Sequence, residues 1–336
     1  MSNRKLERLK RAKKRKKMIH TFIAVLIIFC ACYIKINPMD KGRATESEAV
    51  SKIEEIQQTE EVEEVLEEIE DPTVEEKEID ENNNKDIVTE NDVSEEVKKI
   101  VEKYINNQDL SEENFAFFYY NPMTAKSYFY NEDTFFTAAS TIKVPLAMIY
   151  YDKINNGDLT LDSKLQYKSW QYEAGTGNTA STYNPGDNIP LSFLLEEMII
   201  NSDNTATNIL KEDLGGEKAY RILIKQYTTR DLPEEFNDEN ITSAGYSYDV
   251  LKRLYENQDK YKDLIEHMKK SSGGGYLKKE VENYEIAHKY GSFEGNVHDY
   301  GICYTENEYL IGIFTRDRHD AEDLISNINK EIIQLK

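Results

Sequence analysis

The run Val144-Pro145-Leu146-Ala147-Met148-Ile149-Tyr150 constrains this chain more than any other stretch. It is apolar almost all round, and a helix tolerates that only where every side is buried. Pro145 has no N–H to donate, so it belongs in or near the first turn. The helix therefore begins close to Ser140, just after a strand-like run at Thr134, Phe135 and Phe136. The fold must surround it. This sets the Ser140 hydroxyl at the positive end of a buried helix, with Lys143 three residues on over the same face. A serine is a poor nucleophile until a neighbouring base takes its proton, and a lysine in a dry pocket can be neutral enough to do so. Taken alone, Ser140-Thr141-Ile142-Lys143 also reads as a helix cap followed by a surface lysine.

Enough chain exists to build such a surround, but not all of it is suited to a core. The 336 residues carry a formal net charge of −21, unevenly spread. Ten of the first seventeen residues are Lys or Arg, a positive-inside signal. Residues 18–36 are then largely apolar, at the short end of a transmembrane span and long for a signal-peptide core, with no clear small-residue cleavage site after them. The expectation is a retained signal anchor, with residues 1–17 in the cytoplasm and the rest outside at the cell membrane. Phe29-Cys30-Ala31-Cys32 is a poor lipoprotein box; Cys30 and Cys32 read as apolar filler, with lipidation at Cys32 left open. Residues 37–91, dominated by Glu from Lys41 on, cannot bury enough apolar surface to offset their ordering entropy. Val62, Leu66 and Ile69 have helical spacing, but the surrounding like charges oppose a helix, and a spacer with a coil-like reach of roughly 40 Å is expected.

Residues 92–336 are long enough for one large domain. They are acidic without a basic stripe, which argues against nucleic acid as a partner. Cys303 is their only cysteine, so no internal disulfide forms and a buried thiol is expected. Asp92 to Glu95 reads as a capping box before a helix with Val97, Ile100, Val101, Tyr104 and Ile105 on one face. Phe115–Tyr120 and Ala125–Tyr130 read as strands. After the Ser140 helix comes a loop-rich stretch from Tyr167 to Tyr183 containing Gly175-Thr176-Gly177. Helical spacing follows over Leu191–Ile200, Thr205–Leu214, Lys218–Tyr227 and Tyr248–Lys270. Strands return at Glu285–Tyr290, Val297–Tyr304 and Tyr309–Thr315, and a last helix spans Ala321–Leu335. Strands at both ends with helices between them predict an α+β fold: an antiparallel sheet flanked by helices, with an all-helical insertion.

Two more short motifs stand at telling places. Ser202-Asp203-Asn204 follows the apolar helix directly, and Lys289-Tyr290-Gly291-Ser292 ends a strand. With Ser140-Thr141-Ile142-Lys143 they reproduce, in order and spacing, the Ser-x-x-Lys, Ser-Asp-Asn and Lys-Thr-Gly set. Tyr183-Asn184-Pro185-Gly186 adds to the likeness. From Asp92 on, the chain resembles the class A β-lactamases and their penicillin-binding relatives. The resemblance implies a β-lactamase-like fold whose helical insertion carries Ser202-Asp203-Asn204. It implies Ser140 as nucleophile, Lys143 as its base helped by the charge of Lys289, and Ser202 as proton relay to the leaving nitrogen. Asn204 would orient substrate and Lys143, while Lys289 and Ser292 would receive the substrate carboxylate, with Gly291 also at the substrate-binding site. The backbone N–H groups of Ser140 and Ser292 would form the oxyanion hole.

Two departures stand out. Tyr290 replaces the family threonine. The loop Thr228 to Asn237 resembles the one that carries the family's deacylating Glu, but it is shortened, and four residues before Asn237 stands Pro233. Glu234 or Glu235 would have to substitute, or both are solvated loop charges. The expected activity is hydrolysis of a β-lactam, or of a D-Ala-D-Ala-type peptidoglycan stem peptide, through an acyl-Ser140 intermediate with slow deacylation. An acylable sensor or wall-binding module without turnover is the non-enzyme alternative. No cofactor is expected. No metal-ligand spacing appears among the five histidines. His298-Asp299 cannot form a serine triad together, because strand neighbours face opposite ways; His298 is expected at a sheet edge. Gly273-Gly274-Gly275 lacks the Lys-Ser/Thr of a phosphate loop.

Overall fold

A computed structural model describes residues 93–272 and 275–335. The basic segment, anchor and spacer expected over residues 1–91 lie outside the described residues. Among the described residues no helix is long and apolar enough to cross a membrane.

The frame is a five-stranded antiparallel sheet. Its strands are β1 (Phe115–Asn121), β2 (Lys126–Tyr130), β7 (Glu285–Phe293), β8 (Asn296–Tyr304) and β9 (Tyr309–Arg316), in the order β2-β1-β9-β8-β7. The two-residue alternation of its strands places this sheet at the centre of the described residues. On β1, Phe115, Phe117 and Tyr119 face one side while Ala116 and Phe118 face the other, and all five are buried. A strand that is apolar on both faces needs cover on both.

One face is covered by α1 (Ser94–Asn107) and by the C-terminal helix Ala321–Ile332, through Val97, Val101, Leu324, Ile325 and Ile328. Cys303 lies under this layer, where burial pushes its thiol up to about 12 and leaves it unreactive. The other face meets the helical insertion. Its centre is α2 (Lys143–Asn155), whose residues from Lys143 through Tyr151 are all buried, as the unbroken apolar run requires. Around it stand the one-turn α3 (Thr179–Thr182), α4 (Leu191–Ile200), α5 (Asn204–Asp213), α6 (Glu217–Ile224), α7 (Ala244–Glu256) and α8 (Lys262–Lys269). Short pairs β3 (Phe135–Thr137) with β6 (Ile241–Ser243), and β4 (Lys164–Gln166) with β5 (Asn188–Pro190), stitch the loops between these helices. The C-terminal helix, α9, completes the set.

Several local expectations need correction. The long helix expected over Tyr248–Lys270 is two helices, α7 and α8, separated by the polar turn Asn257 to Tyr261. It also starts earlier, because the Ser243 hydroxyl accepts from the Tyr246 N–H at 3.1 Å and caps α7. At α1 the residue before the helix is Val93, and Asp92, on which the expected capping box rests, lies outside the described residues. His298 is not at a sheet edge: β8 lies between β7 and β9, and the ring is fully buried. Its Nε2 bonds the Thr137 carbonyl at 2.8 Å, and desolvation lowers its pKa to about 4, so it is a neutral packing residue.

Candidate active site

Ser140 sits in a single 3-10 turn, Ala139–Ile142, that feeds directly into α2. The turn is tied by the Thr141 N–H and hydroxyl, both donating to the Ala138 carbonyl, the hydroxyl at 2.6 Å. Ala139 has φ +48°, a left-handed value that costs a non-glycine residue on the order of 1 kcal/mol or more. The surroundings hold it there. Asn240 donates from Nδ2 to the Ala139 carbonyl at 3.2 Å, and its own carbonyl accepts the Ala138 N–H at 2.7 Å.

One turn further on, Lys143 is 3% exposed. Its Nζ reaches the Ser202 carbonyl at 2.7 Å, Ser202 Oγ at 3.1 Å and Asn204 Oδ1 at 2.7 Å. Desolvation, then the charges of Lys289 and Lys211, hold its pKa well below the usual lysine value, against the opposing pull of Asp203 and Glu173. Lys289 is fully buried, and desolvation lowers it to about 7. Its Nζ donates to Ser202 Oγ at 3.2 Å and to the Tyr290 carbonyl at 3.0 Å. Ser202 Oγ thus lies between two lysines. With both lone pairs accepting from them, its own proton is left for a third partner, which suits a relay.

Ser202 also has a left-handed φ of +54°. Its carbonyl is held from one side by Lys143 and from the other by Thr176 Oγ1 at 2.7 Å. Asp203 does structural work beside it: Oδ1 caps α5 through the Ala206 N–H at 2.9 Å, and Oδ2 receives the Thr179 N–H at 2.8 Å. The Gly175-Thr176-Gly177 loop and the start of α5 are thereby locked to each other.

The third wall comes from β7. As the edge strand it leaves one row of backbone N–H groups outside the sheet, and the Ser140 turn lies beside that row. A Cβ on Gly291 would stand 2.8 Å from the Ser140 nitrogen and 3.0 Å from that of Thr141, so only glycine permits this approach. The Tyr290 ring stacks on Tyr276, with centroids 5.2 Å apart and planes 14° off parallel.

These walls enclose a cleft of about 230 Å³ lined by Ser140, Lys143, Asn204, Asn240, Ser292 and Glu173, among others. Ser140, Lys143, Ser202, Asn204, Lys289, Gly291 and Ser292, expected together, are brought together. Glu234 and Glu235 are not. They occupy the exposed 3-10 turn Glu234–Asn237 and line no part of the cleft. The residue of this loop that reaches the Ser140 turn is Asn240, three further on than the Asn237 used as a reference. Among the described residues, no group of three or more His, Cys, Asp or Glu side chains could hold a metal ion.

Residues 74–335 match the sequence model of the β-lactamase enzyme family. The chain belongs to the β-lactamase enzyme family. Solved structures share its fold. PBP-A superposes with a TM-score of 0.60 at 21% identity, covering 71% of this chain and 95% of PBP-A. A β-lactamase from Sphaerobacter thermophilus gives 0.59 at 23% identity, over 71% of this chain and 95% of its own. TLA-1, an extended-spectrum β-lactamase, gives 0.63 at 22% identity, over 72% and 98%. A mutant of PBP-A is seen as an acyl-enzyme with penicillin G. No curated protein matches the chain. At these identities the structures speak for the fold; the chemistry rests on the residues themselves.

Glu173 and Asn240 escaped the sequence reading. Both lie in loops whose path is set by distant contacts. Asn208, four residues after Asn204 on α5 and so on the same helical face, carried a legible signal.

Proposed function

We propose that the chain is a membrane-tethered, extracytoplasmic serine hydrolase that opens an activated or strained amide through an acyl-Ser140 intermediate. The observation that carries this reading is the lysine–serine–lysine array behind Ser140. Lys143 is buried with its pKa depressed by desolvation, which favours the neutral amine that would take the Ser140 proton. Ser202 Oγ, bonded to both Lys143 and Lys289, then passes a proton to the leaving nitrogen. The developing oxyanion would be met by backbone N–H groups of Ser140 and Ser292, supported by the close approach of Gly291.

The family and Lys289 support a substrate that is a β-lactam, or the D-Ala-D-Ala end of a peptidoglycan stem peptide, with the substrate carboxylate at Lys289 and Ser292. The tether is read from the basic residues 1–17 and the apolar residues 18–36, with residues 37–91 as spacer. Slow deacylation was expected from the shortened loop, and the exposed positions of Glu234 and Glu235 support the absence of a base from that loop. Incubation with a D-Ala-D-Ala-terminated peptide and, separately, with a chromogenic β-lactam tests the substrate. Release of D-Ala assigns the peptide, and ring opening alone assigns the antibiotic. Neither product, with no acyl adduct on the protein, overturns the reading.

A further inference from the structure

An acyl-serine ester clears only if a water reaches its carbonyl with a base in hydrogen-bond range of that water. Glu234 and Glu235 do not line the cleft, yet one carboxylate does. Glu173 comes from the opposite wall, out of the loop before α3. Its Oε1 accepts from Asn204 Nδ2 at 2.8 Å and its Oε2 from Asn208 Nδ2 at 3.0 Å. Its backbone is pinned to the start of α5: the N–H donates to Thr205 Oγ1 at 3.1 Å, and the carbonyl lies 3.3 Å from the same hydroxyl. The carboxylate is therefore held over the cleft by two asparagines, and its backbone by a threonine, all of one helix.

We propose that Glu173 is the general base that activates the water hydrolysing the acyl-Ser140 ester, a role that rests on the acyl-Ser140 reading above. Three features favour it. A carboxylate has about four acceptor positions, and two amides leave room for a water. The side chain is exposed to solvent at the cleft, so water has access. Asn204 joins Glu173 to the reacting groups directly, since its Oδ1 accepts from Lys143 while its Nδ2 donates to Glu173. In the step itself, Glu173 takes one proton from water as the oxygen bonds the acyl carbon. The tetrahedral intermediate then collapses, the C–Oγ bond breaks, and Ser140 Oγ recovers a proton from the protonated Glu173. Ester plus water becomes free acid plus serine, with nothing left over.

The test uses the full chain in detergent, a reporter penicillin and intact-mass detection. Glu173→Gln keeps size and one of the two amide contacts but removes the base. The acyl lifetime is expected to lengthen by at least about a hundredfold, the low end for a positioned base, and by far more than acylation slows. Glu173→Asp, with a shorter reach, should fall between the two. Equal lifetimes in wild type and Glu173→Gln, or a loss of acylation matching any change in lifetime, overturn the assignment. If the wild type takes no adduct at all, the acyl-Ser140 reading fails first and this one falls with it.

Discussion

Gly291→Ala isolates the contact between β7 and the Ser140 turn without removing any polar group. The added Cβ would stand 2.8 Å from the Ser140 nitrogen, 3.0 Å from the Thr141 nitrogen and 3.1 Å from the Ala138 carbonyl. All three are backbone atoms, so no side chain can swing aside. Ordinary carbon contacts begin at about 3.5 Å, so strand and turn must part by roughly 0.7 Å. That is most of the misplacement that costs about 10² in rate, and it falls on the Ser140 N–H proposed to meet the oxyanion, and loss of such a donor costs about 10²–10³. Acylation by a penicillin should therefore slow by about a hundredfold, or about 2.7 kcal/mol of barrier. Stability should fall by about 1–3 kcal/mol, the usual penalty for overpacking. The assay is stopped-flow acylation together with a thermal melt. Wild-type acylation by a well-folded Gly291→Ala would refute the claim that β7 and the Ser140 turn form the oxyanion site.

Three other outcomes are expected. Acylation should rise with pH as Lys143 loses its proton, below the usual lysine range, and Lys289→Met should move this limb to higher pH because a neighbouring positive charge is gone; a limb that does not move removes Lys289 from the electrostatics. Lys289 itself binds a proton in the unfolded chain up to about 10.5 but gives it up near 7 when folded, so wild type should gain stability relative to Lys289→Met as pH rises across that window, in denaturant titrations at pH 7 and 10. Lys336 fused to an export reporter should give signal outside the cytoplasm, with the chain retained in membranes after a salt wash; a released mature form beginning near Lys35 would remove the anchor.

What could be read from the sequence was what local chemistry determines. The burial of α2 followed from one apolar run, and the positions of Ser140 and Lys143 at its entrance followed from where that helix must start. Asp203 had the side chain of a helix cap and serves as one. The strands around Lys289 showed their ends to within a few residues. The misses share a different cause. Glu234 and Glu235 were placed by counting along a loop, whereas the loop's path depends on which residue, Asn240, meets the Ala139 carbonyl. Glu173 sits in the loop-rich stretch, and only Asn204, Thr205 and Asn208 on a separate helix aim it at the cleft. The break between α7 and α8 was hidden because apolar spacing continues in phase through a short polar turn.

The most direct test of the central claim is to map the acyl adduct. The full chain is incubated with a reporter penicillin, digested, and the modified peptide sequenced by mass spectrometry. A single adduct on Ser140 is predicted, absent in Ser140→Ala and formed at least about a hundredfold more slowly in Lys143→Ala. An adduct that persists in Ser140→Ala, or a folded wild type that takes none, would contradict the account.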